Sequence, residues 1–159
     1  MSERVKERLC FEQFSPGQQL EHFRTITLHG DEFYQLVKTL GFSDQQIHTN
    51  EFYARSRGFR REILPGPIVF ALVFQLTRQE ISWNGINLGA EYMKHNLPVY
   101  PGDTLSAVSK VVRVGEWPGK RAETHGLVAV KTNGLNQDGE NVIEFERSIL
   151  VPLRATLGI

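Results

Sequence analysis

Apolar residues recur along this chain at different periods, and each period assigns its stretch to a different kind of element. His22-Phe23-Arg24-Thr25-Ile26-Thr27-Leu28 alternates as a strand does. His29-Gly30-Asp31-Glu32 puts acids where the first turn of a helix favours them. Phe33, Leu36, Val37 and Leu40 follow with the spacing of one helix face, and Gly41 closes the segment. Residues 42–64 are polar and aperiodic and form the longest expected loop. Pro65-Gly66-Pro67 can open a helix, because proline is pre-set for the first helical position. Ile68 to Phe74 is then apolar on every side, a run short enough for a strand or a helix. Continuation to Leu76 without a turn signal favours a helix within 65–81, and a helix with no polar face has to be enclosed.

The second half reads as strands. Leu88 to Leu97 and Thr104 to Val114 flank the turn Pro98-Val99-Tyr100-Pro101-Gly102-Asp103, and Ala122 to Thr132 is a further extended run. Asn136-Gln137-Asp138-Gly139 is a hairpin turn. Beyond it Ile143, Phe145, Arg147, Ile149, Val151 and Leu153 share one strand face, with Glu144, Glu146 and Ser148 on the other. Strands around one enclosed helix make an α+β layer architecture.

Composition narrows the function classes. A chain of 159 residues has room for one core. Its 18 basic and 18 acidic residues cancel, which leaves no basic excess for nucleic acid. Cys10 is the sole cysteine, so an internal disulfide is ruled out and a reducing compartment is expected. MSERVKERLCFEQF is charged and has no apolar stretch of the signal-peptide kind, so no leader is expected. The longest apolar run, Ile68–Phe74, falls far short of the roughly 20 residues that span a bilayer. The expectation is a soluble cytoplasmic protein.

Two features carry candidate chemistry. Asp44 stands four places before His48, and Gly66 stands where a helix start exposes backbone N–H groups. Arg55, Arg57, Arg60 and Arg61 crowd the same loop, either as a solvated surface or as forks for phosphate or carboxylate. His22, His29, His95 and His125 lie apart with no metal-ligand spacing, and the glycines form no phosphate-binding loop, so no metal or nucleotide cofactor is expected. Cys10 has no neighbour that would lower its pKa, and Trp83 and Trp117 are read as packing or dimer-surface residues.

Taken in order, these pieces resemble the MaoC-like hydratases and dehydratases, hot-dog enzymes acting on acyl-coenzyme A thioesters. The resemblance runs from Phe14-Ser15-Pro16-Gly17 and Gly30-Asp31 through Ile47-His48, Tyr53-Ala54 and Pro65-Gly66-Pro67. It continues in Pro98-Val99-Tyr100-Pro101-Gly102-Asp103-Thr104-Leu105, Asn136-Gln137-Asp138-Gly139-Glu140 and Leu150-Val151-Pro152. Asn87-Leu88-Gly89, Tyr92 and PVYPGDTLSA are most similar to branches handling C5 dicarboxylic acyl groups such as mesaconyl-CoA. The resemblance implies one hot-dog domain over residues 1–159, with 1–12 a charged N-terminal segment, assembled as a homodimer or higher homo-oligomer. It implies an enoyl-CoA hydratase or 3-hydroxyacyl-CoA dehydratase in which coenzyme A enters only with the substrate. His48 is then the base, Asp44 the second acid/base and Gly66 the oxyanion donor, with Arg60 or Arg61 on coenzyme A phosphates or a substrate carboxylate. The family's Asp five residues before the His is Ser43 here, and Asp44 sits one place late, so Ser43 is the alternative water ligand. A thioesterase and a non-catalytic subunit of a two-component dehydratase remain the rival readings.

Overall fold

The computed structural model describes residues 3–4, 9–81 and 83–158. Three short strands open the chain: β1 (Glu3–Arg4), β2 (Gln19–Glu21) and β3 (Ile26–Thr27). They are followed by α1 (Gly30–Thr39), a 3₁₀ turn over Gln46–His48, α2 (Glu51–Ser56), α3 (Gly66–Leu76) and α4 (Arg78–Ile81). Four long strands complete the fold, β4 (Ile86–His95), β5 (Thr104–Glu116), β6 (His125–Leu135) and β7 (Asn141–Pro152), before the short α5 (Arg154–Leu157). The sheet order is β1-β2-β5-β6-β7-β4, with β3 also on β5, and every pairing except β1 with β2 is antiparallel.

The expected elements are present with altered limits. Of the strand expected over 22–28 only Ile26–Thr27 forms, as β3; β2 ends before it at Glu21, and between the two His22 N–H still donates to the Ala107 carbonyl. The helix expected over 65–81 breaks at Thr77, whose Oγ1 donates back to the Phe74 carbonyl. The stretch read as one long loop, 42–64, contains α2. Its period is hidden because a six-residue helix shows less than two turns, and Asn50 caps it by accepting from Tyr53 N–H at 3.0 Å. The run expected from Ala122 starts as a strand only at His125, since His125 N–H turns back to the Arg121 carbonyl.

Helix α3 lies across the sheet and organises one apolar cluster. Its Ile68, Val69, Val73 and Leu76 are buried against Phe33 and Val37 of α1, Leu105 and Ala107 of β5, and Ile143 and Phe145 of β7. Burial of one such side chain is worth about 1.5–3 kcal/mol, so packing rather than helix propensity holds α3 in place. The close approach needs a glycine on the sheet. A Cβ at Gly134 would sit 2.6 Å from a Val73 methyl carbon. A second cluster gathers Phe14, Leu20, Ile81, Val111, Val128, Val130, Ile149 and Val151 at the other end. Polar groups lie buried besides: His22, Thr77, Glu80, Ser109, Thr132 and Arg147.

Enclosure of α3 is incomplete. Phe70, Leu72 and Phe74 are only half-buried and Ala71 is exposed. Strand β4 is exposed at all ten of its positions, as an edge strand is when nothing covers either face. Bulges interrupt its pairing to β7 between Asn87 and Gly89 and between Glu91 and Lys94, and Tyr92 takes a left-handed φ of 53°.

Candidate active site

At the mouth of α3 one backbone donor has no partner among the described residues. Pro65 caps the helix, and its carbonyl accepts from Ile68 N at 2.9 Å and from Val69 N at 3.1 Å. Pro67 has no N–H to offer. Gly66 N–H is therefore the remaining donor of the first turn, at the positive end of the helix dipole.

His48 closes the 3₁₀ turn that leads toward this mouth and is 7% exposed. Its Nδ1 lies 2.7 Å from the Ile63 carbonyl oxygen. A carbonyl can only accept, so Nδ1 carries the hydrogen, and in the neutral ring Nε2 keeps its lone pair. Nε2 has no hydrogen-bond partner among the described residues, yet it is not sealed from solvent. Phe42 meets the ring edge-on at 6.1 Å and fixes its plane. Ile63 N–H also donates to the Ile47 carbonyl, so the segment that holds the imidazole is the one that runs, three residues later, into Gly66.

The structure brings the other expected residues together only in part. Ser43 and Asp44 lie on an exposed turn. Asp44 lines a cleft of about 580 Å³ with Gln45, Gln46, Ile47, Tyr53, Arg57 and Phe59, and among the described residues it makes no hydrogen bond to His48. Arg60 donates to Asp103 at 3.0 Å and stacks over Tyr100 at 4.0 Å, which ties its loop to the 98–103 turn. Arg61 bonds Glu62 through Nε at 3.4 Å, and Glu62 also accepts from the Tyr34 hydroxyl at 2.8 Å. Burial works to raise the Glu62 carboxyl, but backbone, Tyr34 and Arg61 donors outweigh it and hold the group below its usual range. Arg55, Arg60 and Arg61 together face a cleft of about 530 Å³ that Glu51 and Asp103 also line. Each of these arginines already has a carboxylate partner: Arg55 pairs with Glu51 at 2.7 Å, Arg60 with Asp103 and Arg61 with Glu62, so an incoming anion would compete with paired charge.

Spacing rules pass over His95. Its ring packs directly against Gly66, where a Cβ would come 2.8 Å from Nε2 and 3.0 Å from Cε1. The signal is in the strand register. His95 is paired with Ile143, whose side chain faces α3, and directly paired residues share a face. No pattern in one sequence gives that register. Among the described residues, no cluster of His, Cys, Asp and Glu could hold a metal ion, and no helix is long and apolar enough to cross a membrane.

A helix laid across an antiparallel sheet, with an imidazole and the helix mouth joined by one segment, is the arrangement of a MaoC-like hot-dog domain. The family model described as mesaconyl-CoA hydratase matches residues 2–158, and the chain belongs to that family. It is 37% identical over 157 residues to a β-methylmalyl-CoA dehydratase of Chloroflexus aurantiacus, covering 97% of this chain and 43% of that protein. To a mesaconyl-CoA hydratase of Cereibacter sphaeroides it is 33% identical, covering 92% of this chain and 42% of that protein. A crystal structure of a MaoC domain protein dehydratase from Chloroflexus aurantiacus superposes with a TM-score of 0.84 at 33% identity, over 96% of this chain and 43% of that one. The chain thus spans less than half the length of these relatives.

Proposed function

We propose that this chain is a hydro-lyase unit that adds water to an enoyl-CoA thioester, or removes it from the 3-hydroxyacyl-CoA, with a C5 dicarboxylic acyl group as substrate. The observation that carries the reading is the spare nitrogen of His48. Its Nδ1–H is committed to the carbonyl of Ile63, three residues before Gly66 opens α3, which leaves Nε2 to act as the base. In hydration Nε2 takes a proton from water while the oxygen bonds to the β-carbon. The double-bond pair moves onto the thioester oxygen, where Gly66 N–H receives it. The enolate then collapses, and the proton on His48 passes to the α-carbon. Acid/base assistance of this kind is worth about 10²–10⁴ in rate, and one backbone oxyanion donor about 10²–10³. The activities for which the relatives are named support the substrate class, and the gathering of Arg60 and Arg61 at one cleft makes them the candidates for coenzyme A phosphates or the second carboxylate. The role of Asp44 rests on the resemblance alone, with Ser43 as its alternative.

The reading includes a homodimer. The fully exposed β4, the half-open face of α3 and relatives of about twice the length all favour a second hot-dog unit against this edge. The same observations favour one rival, a chain that turns over only with a different hot-dog partner.

The test is loss of enoyl-thioester absorbance with purified chain and mesaconyl-CoA, alongside thiol release and light scattering. Turnover without thiol release, a mass of two or more chains, and a drop of at least about 10² in His48→Ala are expected. Activity retained in folded His48→Ala contradicts the mechanism. Thiol release identifies a thioesterase, and turnover only on mixing identifies the two-component form.

A further inference from the structure

We infer that His95 is a second oxyanion donor, its imidazole N–H and the Gly66 amide converging on one thioester oxygen. This rests on the proposed hydro-lyase reading and adds to it a catalytic residue from a different part of the fold.

The geometry allows one oxygen to reach both groups. An ideal Cβ stands about 2.5 Å from its own backbone nitrogen, and His95 Nε2 is 2.8 Å from that position at Gly66, so the two nitrogens lie within about 5.3 Å. An oxygen accepting at about 2.9 Å from each can bridge up to about 5.8 Å. Absence of a side chain at Gly66 is what lets the ring come this close to the amide, since any Cβ would collide with the imidazole. Among the described residues the His95 ring has no hydrogen-bond partner, so its N–H is uncommitted. The residue is exposed as a whole, but the face against Gly66 is covered, and that burial holds its pKa below the ordinary histidine value. The ring is therefore neutral near pH 7, a donor that does not hand its proton to the enolate. As the double-bond pair moves onto oxygen, both N–H bonds shorten. When the enolate collapses they lengthen again, and no proton leaves His95.

The test uses His95→Phe, which keeps a ring against Gly66 and loses the donor, His95→Met as a second donorless variant, and His95→Gln, which restores an N–H. The first readout is the infrared carbonyl stretch of [1-¹³C]butyryl-CoA bound to each protein, a thioester with no double bond to hydrate. Wild type should move the band to lower frequency, Phe and Met should lose much of that movement, and Gln should recover part of it. Equal bands in wild type and both donorless variants, or no movement in wild type, overturn the inference. The second readout is turnover, where Phe and Met should lower kcat by about 10²–10³ with KM within a few-fold. A wild type that polarises the carbonyl but hydrates nothing would remove the hydro-lyase reading and leave His95 as a thioester-binding donor.

Discussion

The two ends of α3 use histidine in opposite ways. At the C-terminal end His22 has both nitrogens engaged, Nδ1 with Glu80 at 3.0 Å and Nε2 with Ser109 at 2.9 Å, and Ser109 continues to Thr132 at 2.9 Å. The side chain of His22 is sealed from solvent and that of Glu80 nearly so. At the N-terminal end, among the described residues, His48 engages one nitrogen and His95 neither. An imidazole whose hydrogen-bonding capacity is spent on the protein serves the fold. One with a nitrogen to spare can serve a substrate.

Arg147 belongs with the structural end. It is 2% exposed, bonds Thr77 and Asn87, lies over Phe74 at 4.6 Å, and leaves Nε without a partner. Burial pulls its pKa down to about 10, so the charged form is held at a cost at neutral pH. Position argues against a role on the thioester. The guanidinium sits at Phe74 and Thr77, eight residues or more along the helix from Gly66, on the order of 12 Å at 1.5 Å per residue.

This contrast can be broken by mutation, beginning with the largest effect. Glu80→Ala strips the acceptor from a buried histidine and should cost roughly 3–5 kcal/mol in chemical denaturation, with Glu80→Gln costing less because it still accepts. A loss below about 1 kcal/mol would mean that the buried network does not hold this end of the core. Arg147→Met should be neutral or stabilising by up to about 2 kcal/mol, since Thr77 keeps its bond to Phe74 and Asn87 faces solvent. A loss of similar size would show that the guanidinium holds β7 to β4.

Much of the structural end was legible from sequence. The alternation from Ile143 to Val151 gives the buried face of β7, and the unbroken apolar run from Ile68 gives α3. Arg147 at an apolar position already marks a polar intrusion into that face. The candidate site at the other end was legible only where chemistry is local. Pro65-Gly66-Pro67 announces a helix mouth without reference to anything distant. His95 reaches Gly66 only through the pairing of β4 with β7 and the crossing of α3 over the sheet, and neither leaves a mark in spacing. Asp44, four residues from His48 in sequence, lies on an exposed turn beside a cleft lined by Tyr53 and Arg57, and among the described residues makes no hydrogen bond to that imidazole.

The most direct measurement is a long-range ¹H–¹⁵N spectrum of the chain with ¹⁵N-labelled histidines, recorded near pH 7.5 with and without butyryl-CoA. His48 should be the Nδ1–H tautomer with an unprotonated Nε2 whose resonance moves when the thioester binds, while both nitrogens of His22 stay in place. A His48 protonated at Nε2, or one that does not respond to the ligand, would contradict its role as the base.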